Sequence, residues 1–268
     1  MIFFWNYWAS EIRFIYFQMD AKRKFSKLHK TKTSTVTPPE EQPPEKRVHL
    51  SLTERGSNLR VSQDLDSVTG YKGYRSIVAN YPIIEGTYYF EARVEKSNLP
   101  PPFKGVESHL RIGIATKAFD KEISLGSDSN SYAYKSIDGC VVHQGFKTKY
   151  AEKYNEGDII GCLVHMKPPK PKVRNQELNK NAVPEINEGS KLIFFKNGKY
   201  LGVAFQDLKE GFYFAAVSLY MNSKVKMNFG PEFEKPPSLT DLPEELHKYK
   251  PYSVIATEPT LYKDIEFS

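Results

Sequence analysis

The sequence predicts an all-β domain of the sandwich or barrel type, and three observations support this prediction. Residues 191–205 form two apolar-rich runs joined at Asn197-Gly198, the dipeptide that best tolerates the positive φ angles of a type I′ hairpin turn. From Val48 onward, short apolar runs are separated every ~8 to 12 residues by Gly, Pro, Asn or Asp. Aromatic residues, which suit a pleated and half-buried surface, make up 13% of the chain.

The predicted strands follow one another as runs of alternating or continuous apolarity. They are VHLSL (48–52), YRSIVA (74–79), TYYFEARVE (87–95), HLRIGIAT (109–116), GCVVHQGF (139–146), DIIGCLVHM (158–166), KLIFFK (191–196), KYLGVAF (199–205), YFAAVSLY (213–220) and KVKMNF (224–229). In the fourth run the alternation places Leu110, Ile112 and Ile114 on one face. Arg111 is therefore expected to point away from the core.

The ends of the chain differ in composition from its middle. Residues 1–47 are predicted to form a flexible arm, with an apolar start, six Lys or Arg between residues 22 and 32, and a proline-rich linker. Glu11 and Arg13 interrupt the apolar start before the ~18 apolar residues that a membrane span requires, so no membrane association is expected. The domain proper is assigned to residues 48–236.

Two further segments lie outside the regular strand pattern. Residues 166–189 have no periodicity and are predicted to be a surface insertion between two strands. Residues 237–268 are predicted to form a tail, in which Leu261 and Ile265 stand four apart and would share one face of a short docking helix. The fold class is therefore a β-structure with a basic N-terminal arm and a short C-terminal helical segment.

The net charge indicates what kind of partner the protein binds, and the cysteine content indicates the redox state of its cellular compartment. The net charge of +6 favours an acidic partner, which nucleic acid, an acidic peptide or an anionic membrane would all provide. The chain has only two cysteines, Cys140 and Cys162, which is too few for a secreted disulfide framework. A reducing intracellular compartment is expected.

Catalytic and metal chemistry find little support in the sequence. The pairs Cys140/His143 and Cys162/His165 have a spacing that resembles a zinc set, but residues three apart in a strand point to opposite faces. No nucleophile, metalloprotease or nucleotide-binding motif is present. We therefore predict no catalytic residues, no metal site, no cofactor and no enzymatic activity.

The basic residues carry the more specific hypothesis. Arg111 on the face away from the core, Lys135 in a nearby strand, and the insertion would together form a positive surface; the insertion contributes Lys167, Lys170, Lys172 and Arg174. An arginine on a rigid strand can make bidentate, charge-assisted hydrogen bonds to carboxylates or phosphates. Simple solvation of these charges is the alternative.

Several segments, in this order, resemble a SPRY domain: LRIGIAT, GDIIGCLV, KLIFFKNGKYLGVAF, GFYFAAVSLY and VKMNFG. More narrowly, VTGYKGYRSIVANYPIIEGTYYFEARV, LGSDSNSYAY, YAEKYNEGDIIG and NFGPEFEKPP resemble the SPRY subunit of COMPASS-type histone methyltransferase complexes, the trithorax-group "absent, small or homeotic discs" family. The resemblance implies a SPRY-type β-sandwich of two antiparallel sheets. It covers residues 48–236. Because 47 preceding residues are too few for the zinc-finger and winged-helix modules of larger members, we expect a minimal form.

The resemblance also implies a function and a site. Family members bind an acidic segment of a WD40-repeat subunit and activate the SET-domain subunit that methylates histone H3 lysine-4, which implies a nuclear chromatin protein in transcription regulation. The family's pocket corresponds here to Arg111 and Lys135, with Ser124 and Ser127 replacing a proline and a tyrosine. The family's C-terminal helix docks into a dumpy-family dimer, and the short tail here leaves that docking open.

Two other functions remain as alternatives from the sequence. One is a generic SPRY interaction adaptor of the ubiquitin-ligase or Ran-binding type. The other is a basic nucleic-acid or nucleosome-binding module that uses residues 22–32 and the insertion, whose affinity would depend steeply on salt.

Overall fold

The structure is a computed structural model that describes residues 46–97, 107–169 and 185–258. Residues 1–45 lie outside these ranges. The predictions for the N-terminal arm, for Lys170, Lys172 and Arg174, and for Leu261 and Ile265 also lie outside them. Within the described ranges, no helix has the length and apolarity needed to cross a membrane.

The regular elements in the described ranges are strands and short 3-10 helices. The strands are β1 (Leu50–Arg55), β2 (Leu59–Val61), β3 (Ser67–Gly70), β4 (Tyr74–Ala79), β5 (Gly86–Glu95), β6 (His109–Thr116), β7 (Ser131–Lys135), β8 (Cys140–His143), β9 (Phe146–Lys149), β10 (Ile159–Met166), β11 (Lys191–Lys196), β12 (Lys199–Gln206), β13 (Tyr213–Tyr220), β14 (Lys224–Asn228) and β15 (Lys250–Pro251). The 3-10 helices are Leu239–Asp241, Glu244–Leu246 and Tyr252–Thr257.

These strands form two sheets. The seven-stranded sheet has the order β1-β4-β13-β6-β7-β8-β9, and the eight-stranded sheet has the order β12-β11-β10-β5-β14-β3-β2 with β15 added beside β5. Every pairing is antiparallel except that of β15 with β5. The predicted all-β fold of two antiparallel sheets is confirmed.

The main core lies between the sheets and contains the apolar face predicted for β6. Leu110, Ile112 and Ile114 are all buried there, and Val217 of β13 pairs with Ile112 in the register. Arg111, between two of these residues, stays outside the core and is only half-buried. The alternation read from the sequence therefore places this arginine on the outer face of the seven-stranded sheet.

Both outer faces are partly covered by segments outside the strands. Phe119 and Leu125, from the loop between β6 and β7, pack on the seven-stranded sheet. Leu242 and Leu246 pack on the eight-stranded sheet against Tyr89. Residues 237–258, which we expected to belong to a tail, thus pack on the sandwich, and a later part of this segment contributes to the main core.

The base of the insertion between β10 and β11 is closed by a side-chain clamp. Asn187 accepts a hydrogen bond from the Lys167 amide at 3.0 Å and donates one to the Lys167 carbonyl at 3.0 Å. The Asn187 side chain thereby provides hydrogen-bond partners for the amide and carbonyl of Lys167, the first residue after β10. The two ends of the insertion, at Lys167 and Asn187, are consequently joined where β10 ends.

The predicted hairpin joins β11 to β12. Asn197 has φ 53° and Gly198 has φ 83°, as a type I′ turn requires. The Asn197 Oδ1 atom accepts a hydrogen bond from the Ile159 amide at 2.9 Å, and its Nδ2 atom donates one to Asp158 at 2.8 Å. The turn therefore also fixes the start of the neighbouring strand β10.

Replacing Asn197 with Ala is expected to lower the free energy of unfolding by about 2 kcal/mol, because alanine tolerates the left-handed conformation poorly and both side-chain hydrogen bonds are lost. Urea denaturation measures the change. Asn155→Ala is the control, since Asn155 is exposed and its side-chain amide has no recorded hydrogen bond in the described ranges. Equal stability of the two variants would contradict an anchoring role for the turn.

Candidate functional site

Arg111 lies at the centre of an outer-face site on the seven-stranded sheet. In the register it stands opposite Lys135 of β7 on one side and Ser218 of β13 on the other. Its Nη1 atom donates a hydrogen bond to the Leu125 carbonyl at 2.7 Å, and its guanidinium carbon lies 5.0 Å from the centre of the Tyr74 ring. Its Nε atom is buried without a hydrogen-bond partner among the described residues.

Three aromatic side chains form one wall of the site. Tyr74 and His109 are joined by a 2.6 Å hydrogen bond, and Tyr220 packs on both rings, with centroid distances of 4.7 Å to Tyr74 and 4.4 Å to His109. Burial lowers the pKa of His109 below its usual value, so the ring is neutral at physiological pH. Arg111 is thus the charged member of this cluster.

The loop between β6 and β7 forms the opposite wall. Ser124 and Ser127 face each other with their hydroxyl oxygens 2.7 Å apart, and Ser124 is buried whereas Ser127 is exposed. The Leu125 amide donates to the Ser218 hydroxyl at 2.6 Å, and the Ser76 hydroxyl donates to the Ile123 carbonyl at 2.6 Å. The loop is therefore held on the sheet by polar contacts from two strands.

Lys135 is adjacent to Arg111 but has a different environment. It is 4% exposed, and its Nζ atom lies 2.5 Å from the Asp138 carboxylate. Burial alone would raise the pKa of Asp138, but hydrogen bonds from Lys135 and from the Cys140 amide outweigh it and lower this pKa. The carboxylate stays ionised near neutral pH and offsets the charge of Lys135.

The structure therefore brings Arg111, Lys135, Ser124 and Ser127 into one neighbourhood and separates Lys167 from them. Lys167 is exposed and directly follows β10, which belongs to the eight-stranded sheet. The structure describes no other member of the predicted basic surface of the insertion.

The two Cys/His pairs lie in different sheets. Cys140 and His143 belong to β8, whereas Cys162 and His165 belong to β10. Cys162 is fully buried, which raises the pKa of its thiol, and the His143 ring stacks on Tyr132 with a centroid distance of 3.9 Å. Within the described ranges, no group of three or more potential metal ligands is found.

The aromatic wall and the Leu125 carbonyl were not predicted from the sequence. Tyr74, His109 and Tyr220 stand opposite one another in the register of β4, β13 and β6. The sequence shows on which face of its own strand each of these residues lies. It does not show that β4, β13 and β6 are neighbours in the sheet. Leu125 acts through its backbone, which leaves no residue-type signal.

The arrangement is suited to binding a carboxylate. A guanidinium is held by a carbonyl and an aromatic ring, and part of its donor capacity is not used within the described ranges. Arginine held in this way presents donors in a fixed orientation, which reduces the entropy lost on binding. Because one of the two paired hydroxyls of Ser124 and Ser127 donates to the other, the pair keeps one further donor, which a second carboxylate oxygen can use.

Comparison with known proteins identifies the domain. A family model of the SPRY domain matches residues 87–170 and 187–232. Among solved structures, the SPRY domain of human HERC1 superposes with a TM-score of 0.52 at 17% identity, covering 69% of this chain and 99% of that one. The fold and the family model thus define a SPRY domain, and the chain belongs to that family.

Two curated relatives narrow the relationship. The Set1/Ash2 histone methyltransferase complex subunit ASH2 of Drosophila melanogaster is 30% identical over 216 residues, which cover 72% of this chain and 38% of the relative. The subunit ash-2 of Caenorhabditis elegans is 26% identical over 222 residues, covering 71% of this chain and 37% of the relative. The chain is homologous to ASH2 subunits and spans well under half of their length.

Proposed function

We propose that this protein is a non-catalytic scaffold subunit of a histone H3 lysine-4 methyltransferase complex of the COMPASS type and acts in the nucleus. In this proposal, the site around Arg111 binds an acidic segment of a WD40-repeat subunit. The resulting complex of the two proteins activates a SET-domain methyltransferase. The homology to ASH2 subunits supports membership of such a complex. The structural observation that supports the binding mode is the half-buried Arg111 guanidinium, whose Nε atom has no hydrogen-bond partner among the described residues.

The proposed binding depends on charge-assisted hydrogen bonds. Arg111 is fixed on a central strand, so an approaching carboxylate meets an already oriented donor. Each such bond contributes ~1.5 to 3 kcal/mol. The neutral aromatic wall excludes water from one side of the guanidinium, which strengthens the interaction.

Arg111→Glu is expected to weaken binding of an Asp/Glu-rich peptide about 10-fold or more, because it replaces the donor with a repelling carboxylate. Fluorescence anisotropy with the full chain measures the dissociation constant. Arg60→Glu is the matched control. This substitution changes the net charge by the same amount, and Arg60 is exposed on β2 of the other sheet. Arg111→Glu binding as tightly as Arg60→Glu would refute the proposed site.

The scaffold role has a separate test. A pull-down with the full chain from nuclear extract, followed by mass spectrometry, is expected to recover WD40-repeat and SET-domain proteins. The isolated chain should show no methyltransferase activity, whereas its addition should raise the activity of the recovered SET-domain subunit. Recovery of ubiquitin-ligase components instead would favour the generic SPRY adaptor.

A further inference from the structure

The outer face that carries Arg111 continues to the edge of the sheet at β9. Lys149 pairs with Cys140 of β8, and Lys147 pairs with Val142. Val142 in turn pairs with Ala133 of β7, which is two residues from Lys135. Because side chains opposite one another in a sheet lie on the same face, Lys147 and Lys149 share the outer face with Arg111.

Both edge lysines are exposed, and neither has an ion pair recorded in the described ranges. The Lys149 Nζ atom reaches only the Asp138 backbone carbonyl, at 3.5 Å. Lysines on an edge strand ordinarily prevent pairing with another chain. Here, however, both point to the side of the sheet that contains the proposed site, rather than one to each side.

The charges on this face leave an excess of positive charge towards β9. Asp138, whose backbone carbonyl is in reach of Lys149, is already paired with Lys135, while Asp128 accepts hydrogen bonds from Asn130 and Ser131. Lys147 and Lys149 therefore carry the cationic charge that Lys135 was expected to provide from the sequence.

The spacing across the sheet fits an extended chain. Arg111 on β6 and Lys149 on β9 are separated by three strand intervals, which amount to about 14 Å. An extended peptide advances about 3.3 Å per residue, so carboxylates about four residues apart span that distance. A single acidic segment crossing the strands would thus reach Arg111 at one end and the edge lysines at the other.

We propose that Lys147 and Lys149 form a second subsite for the acidic segment, so that the segment crosses the seven-stranded sheet from Arg111 to β9. This inference rests on the proposed function, since it extends the same site. An acidic polypeptide is favoured over nucleic acid because Arg111 is half-buried beside the Leu125 carbonyl. A flexible carboxylate side chain can enter that recess more readily than a duplex phosphate backbone.

The test uses two fluorescein-labelled peptides of equal charge in a Gly/Ser background. One peptide carries two Asp-Glu pairs four residues apart, and the other carries them adjacent to each other. The full chain is compared with Lys147→Gln/Lys149→Gln and with a control, Lys199→Gln/Lys248→Gln, which removes the same charge from exposed positions in other parts of the fold.

We expect the wild-type chain to bind the spaced peptide several-fold more tightly than the adjacent one, and Lys147→Gln/Lys149→Gln to remove this preference with about a five-fold loss of affinity. The control should change affinity less than about two-fold. The second subsite is refuted if Lys147→Gln/Lys149→Gln binds the spaced peptide like wild type while Arg111→Glu loses it. In that case the proposed function stands.

Two other results would overturn the inference in distinguishable ways. If the wild-type chain binds neither peptide, acidic-segment binding by this face fails together with the second subsite. If the wild-type chain prefers single-stranded or duplex DNA of matched charge, and the lysine variant weakens DNA binding alone, the edge lysines belong to a nucleic-acid surface.

Discussion

Gly113→Ala is expected to lower the free energy of unfolding by about 3 kcal/mol or to prevent folding. Gly113 lies in β6, two residues after Arg111, and a Cβ atom at this position would stand 1.9 Å from the Tyr132 carbonyl oxygen. The obstacle is the backbone of the paired strand β7, so no side-chain rotation relieves the clash. The two strands must separate, which would also displace Lys135 from its place opposite Arg111.

Gly211→Ala is the matched control for this change. An added Cβ atom at Gly211 would come closest to the Thr116 methyl group, at 3.3 Å, and a small side-chain adjustment can relieve this contact. Urea denaturation and the thermal midpoint compare the two variants. If Gly113→Ala is as stable as Gly211→Ala, β6 and β7 do not approach closely enough at Gly113 to exclude a Cβ atom.

Glu91→Ala is expected to destabilise the fold by about 3 kcal/mol, through a different mechanism. Glu91 is 1% exposed, and its carboxylate accepts hydrogen bonds from the amides of Glu234 and Lys235 at 2.9 and 2.8 Å and from the Asn228 side chain at 3.1 Å. Alanine would leave these donors without their acceptor. The segment that covers the eight-stranded sheet should therefore loosen.

Amide hydrogen exchange distinguishes local loosening from general destabilisation. The amides of Glu234 and Lys235 should exchange faster in Glu91→Ala than amides of β6 and β13. Glu232→Ala is the control, because Glu232 is exposed in the same loop and its carboxylate has no recorded hydrogen bond in the described ranges. Unchanged exchange at 234 and 235 would show that the carboxylate does not hold this segment.

Sequence patterns predicted those parts of the fold in which local chemistry and tertiary structure agree. The Asn197-Gly198 turn needs positive φ at both positions, and few other residue pairs supply it. The apolar alternation in β6 marks one buried face, so it also indicates which face carries Arg111. In both cases the signal lies within a few consecutive residues.

Several short strands were missed or only partly predicted from the sequence. All four residues of β9 are exposed, and all five of β7 are buried, so neither strand alternates. β2 and β15 contain only three and two residues. These elements are defined by their neighbours in the sheet rather than by their own sequences.

The candidate site was less predictable because its properties depend on strand pairing and backbone atoms. The sequence placed a positive charge at Lys135, but it did not show that Asp138 pairs with it in the β7–β8 turn. It also gave no indication that Tyr74 and Tyr220 stand side by side across two strands. Tyr74 and Tyr220 are 146 residues apart in the sequence. No pattern within a few consecutive residues indicates a contact over such a separation.

The start of the described sandwich and its last 3-10 helix lie beside the same cavity. Arg47, at its start, and Ser253, in its last 3-10 helix, line the same cavity of about 370 Å³, whose wall also includes Phe229 and Gly230. Domains whose two connections are close together can be inserted into, or exchanged between, larger proteins without separating the flanking segments. Because these two parts of the sandwich line one cavity, segments attached at either end can lie close together without disturbing the strand pairing.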